Sequence, residues 1–152
     1  MTDSSTDLLH PDQTFDTVAG QCRIKRLLGS GLTSEVYEAE LPDGNRVAVK
    51  AMRPNASAQG KNEFIQEGPI LAKMNEIRNE AKPLFYENEK RDWRSYANVA
   101  PIYYGGDRDA SPPYIVEELM SGVPLPDLLE KAGGKLEESV ALDIAIQLFG
   151  VI

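Results

Sequence analysis

Residues Leu27 to Lys50 read LLGSGLTSEVYEAELPDGNRVAVK. Gly29-Ser30-Gly31 lies between an apolar run ending at Leu27-Leu28 and a mixed run through Val36, Tyr37 and Ala39. Pro42-Asp43-Gly44-Asn45 is a turn signal between that run and Val47-Ala48-Val49, which closes on Lys50. The order is strand, glycine turn, strand, turn, strand: an antiparallel meander of three strands. Glycines let backbone amides approach an anion closely. A lysine at the end of a buried apolar triplet calls for an anion or for water.

Residues 1–15 are polar and acidic and read as a flexible lead-in. Cys22 and Ile24 continue the first strand back from Leu27. In the second strand Val36, Tyr37 and Ala39 alternate in part with Glu35, Glu38 and Glu40. Downstream, residues 57–79 carry Phe64, Leu71, Met74 and Ile77 at helical steps, with a kink expected at Gly68-Pro69. Residues 78–96 are strongly charged yet hold Leu84, Phe85, Tyr86 and Trp93, and pattern alone assigns them to neither loop nor helix. Val99–Tyr104 reads as a strand, Gly105–Pro113 as a turn and Tyr114–Val116 as a strand. Leu125–Lys131 reads as a short helix, and a last helix starts at Leu136.

The chain has 152 residues with a net charge of −8, which argues against a nucleic-acid or anionic membrane partner. The single cysteine, Cys22, excludes an intrachain disulfide. No apolar run has the length of a membrane span, and the N-terminus lacks a signal pattern, so the expected compartment is the cytoplasm. His10 is the only histidine, which argues against a histidine metal site or a nucleophilic triad. Asp127 and Asp143 fall in helical patterns and read as surface residues.

The glycine turn by itself is a weak signal, because Gly-x-Gly joins many hairpins. It is not a dinucleotide fingerprint, since a strand and not a helix follows it. Nor is it a Walker loop, since no Lys-Ser or Lys-Thr closes it. Lys50, one strand further on, raises its specificity.

On these residues, positions 24–125 resemble the N-terminal lobe of a eukaryotic-type protein kinase. The resemblance implies an α+β fold: a small lobe with a five-stranded antiparallel sheet and one main helix, followed by the first helices of the large lobe. Its domains would be the lead-in 1–15, the small lobe 16–120 with an insertion near 78–96, and the hinge and first large-lobe helices 121–152. It implies ATP and Mg2+ as cofactors. Lys50 would hold the α- and β-phosphates, and Glu67 would orient Lys50, with Glu63 as the alternative one turn earlier. Gly29, Ser30, Gly31 and Ser34 would cover the phosphates; Leu28, Val36 and Ala48 would roof the base. Glu118 and Met120 would present backbone groups to the adenine edge, with Glu117 at the flank of the pocket, where the family commonly places an apolar residue.

No His-Arg-Asp or Asp-Phe-Gly string occurs in the chain. The resemblance therefore places the catalytic base and the metal ligands beyond Ile152, and implies a truncated serine/threonine kinase domain that is inactive alone and whose parent acts on a protein substrate. Val140, Ile144 and Leu148 form one stripe of the last helix, and Leu142, Ile146 and Phe149 another. A helix apolar around most of its girth is normally buried on several sides, so residues 136–152 are expected to self-associate or meet a partner. The alternative reading is a non-catalytic kinase-like module that binds nucleotide or protein.

Overall fold

The structure, a computed structural model, describes residues 7–86 and 103–149. Its strands are β1 (Thr14–Thr17), β2 (Gly20–Ser30), β3 (Ser34–Glu40), β4 (Arg46–Met52), β5 (Tyr103–Asp107) and β6 (Tyr114–Glu118). The helices are α1 (Ala58–Tyr86), α2 (Leu125–Lys131) and α3 (Glu138–Phe149). The fold is α+β, with one antiparallel sheet in the order β1-β2-β3-β4-β6-β5.

The sheet has six strands, not the expected five. Val18-Ala19-Gly20 makes a turn that folds Thr14–Thr17 back onto β2. Gly20, at φ 113°, supplies the left-handed residue, and Thr17 Oγ1 donates to Gly20 O at 2.7 Å across the turn. The main chain before it is also held. Asp12 N donates to Ile24 O at 2.8 Å, and Ile24 N to Gln13 O at 2.9 Å. Residues 7–15 are thus packed, not a loose lead-in; residues 1–6 lie outside the described residues.

The reason is on the sheet's outer face. Directly opposed residues of an antiparallel pair share a face, so Tyr37, Val49 and Val116 line up across β3, β4 and β6. With Cys22, Ile24, Ala39 and Val47 they form the larger core cluster. Its cover comes from Leu9, which is buried, and from half-buried Leu8, Phe15 and Ala19. Phe15 stands edge-on to Tyr114, with centroids 5.2 Å apart. The inner face carries the smaller cluster of Met52, Ala56, Ile115 and Phe64 of α1.

Helix α1 starts where Ser57 caps it, accepting from Gly60 N at 3.1 Å. It runs on through Gly68-Pro69 to Tyr86, past the expected end at residue 79. The rest of the charged stretch, 87–96, lies outside the described residues, as do 99–102 of the expected strand. That strand continues to Asp107, into the stretch read as a turn. Asp107 Oδ1 then turns the chain by accepting from Asp109 N and Ala110 N at 2.8 and 3.1 Å.

Residues 7–76 and 103–119 belong to one compact unit, and 77–86 and 120–149 to a second. The first holds the sheet and the start of α1. In the second, α2 and α3 form as expected, and Val140, Leu142 and Ile146 of α3 are exposed. Among the described residues no helix is long and apolar enough to cross a membrane.

Candidate functional site

Lys50 lies on β4 opposite Val36 of β3 and Ile115 of β6. Ile115 packs with Phe64 of α1, so Lys50 emerges on the α1 side of the sheet. Its Nζ donates to both carboxylate oxygens of Glu67, each at 2.6 Å, and stands 5.7 Å from the Phe64 ring centroid. Phe64 and Glu67 are three apart on α1 and share a helix face. The Lys50 and Glu67 side chains keep 26% and 34% of their exposure, which leaves the pair reachable from water. Glu63 is exposed and accepts from Gln59 Nε2 at 2.8 Å instead.

The glycine hairpin is the β2–β3 turn, closed by Gly31 N donating to Ser34 O at 2.9 Å. Leu32 at its tip is 96% exposed. Gly29 opposes Val36, in the row that leads to Lys50. A register shift between Leu27 and Gly29 falls at Leu28, which is exposed. Ala48 is half-buried on the α1 side, and the row through it reads Arg26, Glu38, Ala48, Glu117. Two carboxylates therefore flank Ala48. Glu38 is buried and neutralised by Arg26 Nε at 2.9 Å and by Arg46. Glu117 is half-buried; burial pushes its carboxyl up, the Glu67 charge adds to this, and Lys50 opposes it. Glu118 opposes Val47 and is half-buried. Met120 is exposed and belongs to the second unit.

Arg53 was not singled out by sequence reasoning. It contacts the hairpin at three points, through Ser30, Thr33 and Glu35. Glu35 is 1% exposed, and its Oε2 accepts from Leu8 N at 2.8 Å and from the Tyr37 hydroxyl. Strand period two puts Glu35 on the face of Tyr37 and Ala39, a signal the sequence carried.

A cavity of about 380 Å³ lies between α1 and the β5–β6 turn, lined by Phe64, Gly68, Pro69, Arg108 and Ile115 among others. Phe64 borders both this cavity and the candidate site, but neither Lys50 nor Glu67 lines the cavity. Among the described residues no group of three His, Cys, Asp or Glu is placed to hold a metal ion.

No protein-family model matches the chain. Segments of it match curated protein kinases. A G-type lectin S-receptor-like serine/threonine-protein kinase of Arabidopsis thaliana is 33% identical over 72 residues, covering 47% of this chain and 10% of that protein. The tyrosine-protein kinase transforming protein ros of UR2 avian sarcoma virus is 42% identical over 57 residues, covering 33% of this chain and 14% of the viral protein. The proto-oncogene tyrosine-protein kinase ROS of Gallus gallus has the same identity over 57 residues, which is 2% of its length.

Part of this chain is similar to protein kinases. The similarity reaches kinases named for serine/threonine and kinases named for tyrosine, and the chain spans a seventh or less of each of these relatives.

Proposed function

We propose that the first unit is the ATP-binding lobe of a protein kinase of the serine/threonine type. The observation that carries this reading is the two-oxygen grip of Glu67 on Lys50, on the face beside the glycine hairpin. Glu67 takes two of the ammonium's three donors and fixes the direction of the third. Phe64 supports the cation from below. The group so held is a compact point charge, suited to α- and β-phosphate oxygens. The amides of residues 29–34 lie in a turn that could fold over those phosphates. Leu28, Val36 and Ala48 offer apolar surface for the base, and the backbone of Glu118 offers polar groups at its edge.

Bound ATP would supply the γ-phosphoryl group, and magnesium would enter with the nucleotide. The chain's own residues orient the triphosphate; no residue described here is assigned as catalytic base. The polypeptide alone is expected to bind nucleotide without phosphorylating a protein hydroxyl, and robust transfer by it would overturn that statement.

The test is thermal unfolding with and without Mg-ATP. Binding at a hundredfold excess over Kd adds about 2.7 kcal/mol of stability, a rise of several degrees for a domain of this size. Lys50→Met is expected to abolish the rise while the protein stays folded. No rise in the unaltered protein would refute the reading.

A further inference from the structure

The residue just past β4 ties the glycine hairpin to the segment that precedes β1. Arg53 N donates to Thr33 O at 2.8 Å, in the hairpin turn. Arg53 Nη2 donates to Ser30 Oγ at 2.6 Å, at the end of β2, and lies 2.5 Å from Glu35 Oε1, on β3. One side chain thus holds both strands of the hairpin. The other oxygen of Glu35, Oε2, accepts from Leu8 N at 2.8 Å and from the Tyr37 hydroxyl. That hydroxyl accepts from Leu9 N at 3.1 Å. A continuous run of polar contacts therefore joins residues 8 and 9 to the hairpin.

The run passes through buried ground. Glu35 and Tyr37 are each 1% exposed, Leu9 is 2% exposed, and the Arg53 side chain keeps 22% of its exposure. A buried carboxylate is strongly dependent on every donor it has, because a lost partner leaves charge uncompensated in a medium of low dielectric. If the amides of Leu8 and Leu9 depart, Glu35 must draw more from Arg53 or admit water. Either change moves the guanidinium that also holds Ser30. The planar fork of Arg53 couples Glu35 to Ser30; an ammonium cannot reproduce its geometry.

We propose that Leu8 and Leu9 position the glycine-rich hairpin through Glu35 and Arg53, so that release of the N-terminal segment loosens the hairpin and weakens nucleotide binding while the sheet stays folded. The binding half of this statement rests on the proposed function; the coupling half does not. Neither Leu9 nor Tyr37 belongs to the candidate nucleotide site, so an effect of either on the hairpin has to travel along the run.

The experiment measures amide hydrogen exchange in the full chain at residues 29–34 and, as an internal reference, at 114–118. It compares the unaltered protein with Leu9→Ala, Tyr37→Phe and Arg53→Lys, and titrates each with Mg-ATP by calorimetry. All three variants are expected to speed exchange in 29–34 several-fold more than in 114–118. Each should raise the Kd for Mg-ATP about tenfold, the equivalent of one lost buried polar contact. Unchanged exchange in 29–34 would overturn the proposal. Exchange rising equally in both segments would also overturn it, since the contacts would then serve only the sheet's general stability. If the unaltered protein does not bind Mg-ATP, the nucleotide reading fails and the exchange data still decide the coupling.

Discussion

Thr33 occupies the space where a side chain on Gly60 would begin: a Cβ there would lie 2.8 Å from Thr33 Oγ1 and 3.3 Å from its Cγ2. The hairpin turn and the first turn of α1 therefore meet across a missing methyl group. Alanine is favoured over glycine in a helix by about 1 kcal/mol. Gly60→Ala is nevertheless expected to lower the unfolding temperature, because Thr33 and the turn it belongs to must move. Thr33→Ala removes two of the three atoms that a Cβ would crowd and leaves Ser57 Oγ at 3.3 Å, so in that background Gly60→Ala should cost markedly less. The cycle, measured by urea denaturation, is expected to show a coupling on the order of 1 kcal/mol; simple additivity would contradict the contact.

Glu67 and Glu63 stand one turn apart on α1, but only Glu67 meets Lys50. Glu67→Gln is expected to cost up to about 1 kcal/mol, as befits a partly exposed pair. It should also weaken the stabilisation by Mg-ATP. Glu63→Gln should stay within about 0.5 kcal/mol of the unaltered protein and leave that stabilisation intact. Equal effects of the two variants would contradict the assignment.

The Tyr37 hydroxyl is pushed up to about 12, first by burial and then by its hydrogen bond to Glu35. The folded value lies above the ordinary value of about 10, so the fold favours the protonated phenol. The resulting stabilisation is fully present below pH 10 and is lost as pH rises from 10 to 12. Urea denaturation across that window should show the unaltered protein losing more stability than Tyr37→Phe, by on the order of 1–3 kcal/mol. Parallel losses would rule this out.

Glu117 shows the same sign of effect in the acidic range. Burial and the Glu67 charge raise its carboxyl above the ordinary value of 4.5, against the pull of Lys50. Its ionised form is thus disfavoured by folding, and stability is lost as pH rises through the folded value. Glu117→Gln is expected to raise the unfolding temperature at neutral pH, and the gain should vanish as pH falls below 4.5. A variant less stable than the parent at pH 7 would show that Lys50 dominates Glu117 after all.

The central hairpins were legible because turn chemistry and strand pattern agree there. Pro42–Asn45 turns as its residues require, with Asn45 N donating to Asp43 Oδ1 at 3.0 Å. The resemblance named Glu67 as the partner of Lys50 and Glu63 as the alternative, and the helix's rotation against the sheet brings only Glu67 to Lys50. Strand β1 was hidden because Val18-Ala19-Gly20 carries only one turn-forming residue. Arg53 was invisible for a different reason. Its partners lie 18, 20 and 23 residues away along the chain, on three parts of a hairpin that only folding brings together.

The cover that Leu8, Leu9, Phe15 and Ala19 provide also bears on how the protein is best shortened for laboratory work. A polypeptide trimmed to begin at β2 would keep the glycine hairpin, Lys50 and Glu67, and so would look complete from the standpoint of the site. It would also lay Tyr37, Val49 and Val116 open to water as a greasy patch on the reverse of the sheet. Such a version should precipitate or pair with itself, and its poor behaviour would be an artefact of the cut and not a property of the site on the other face.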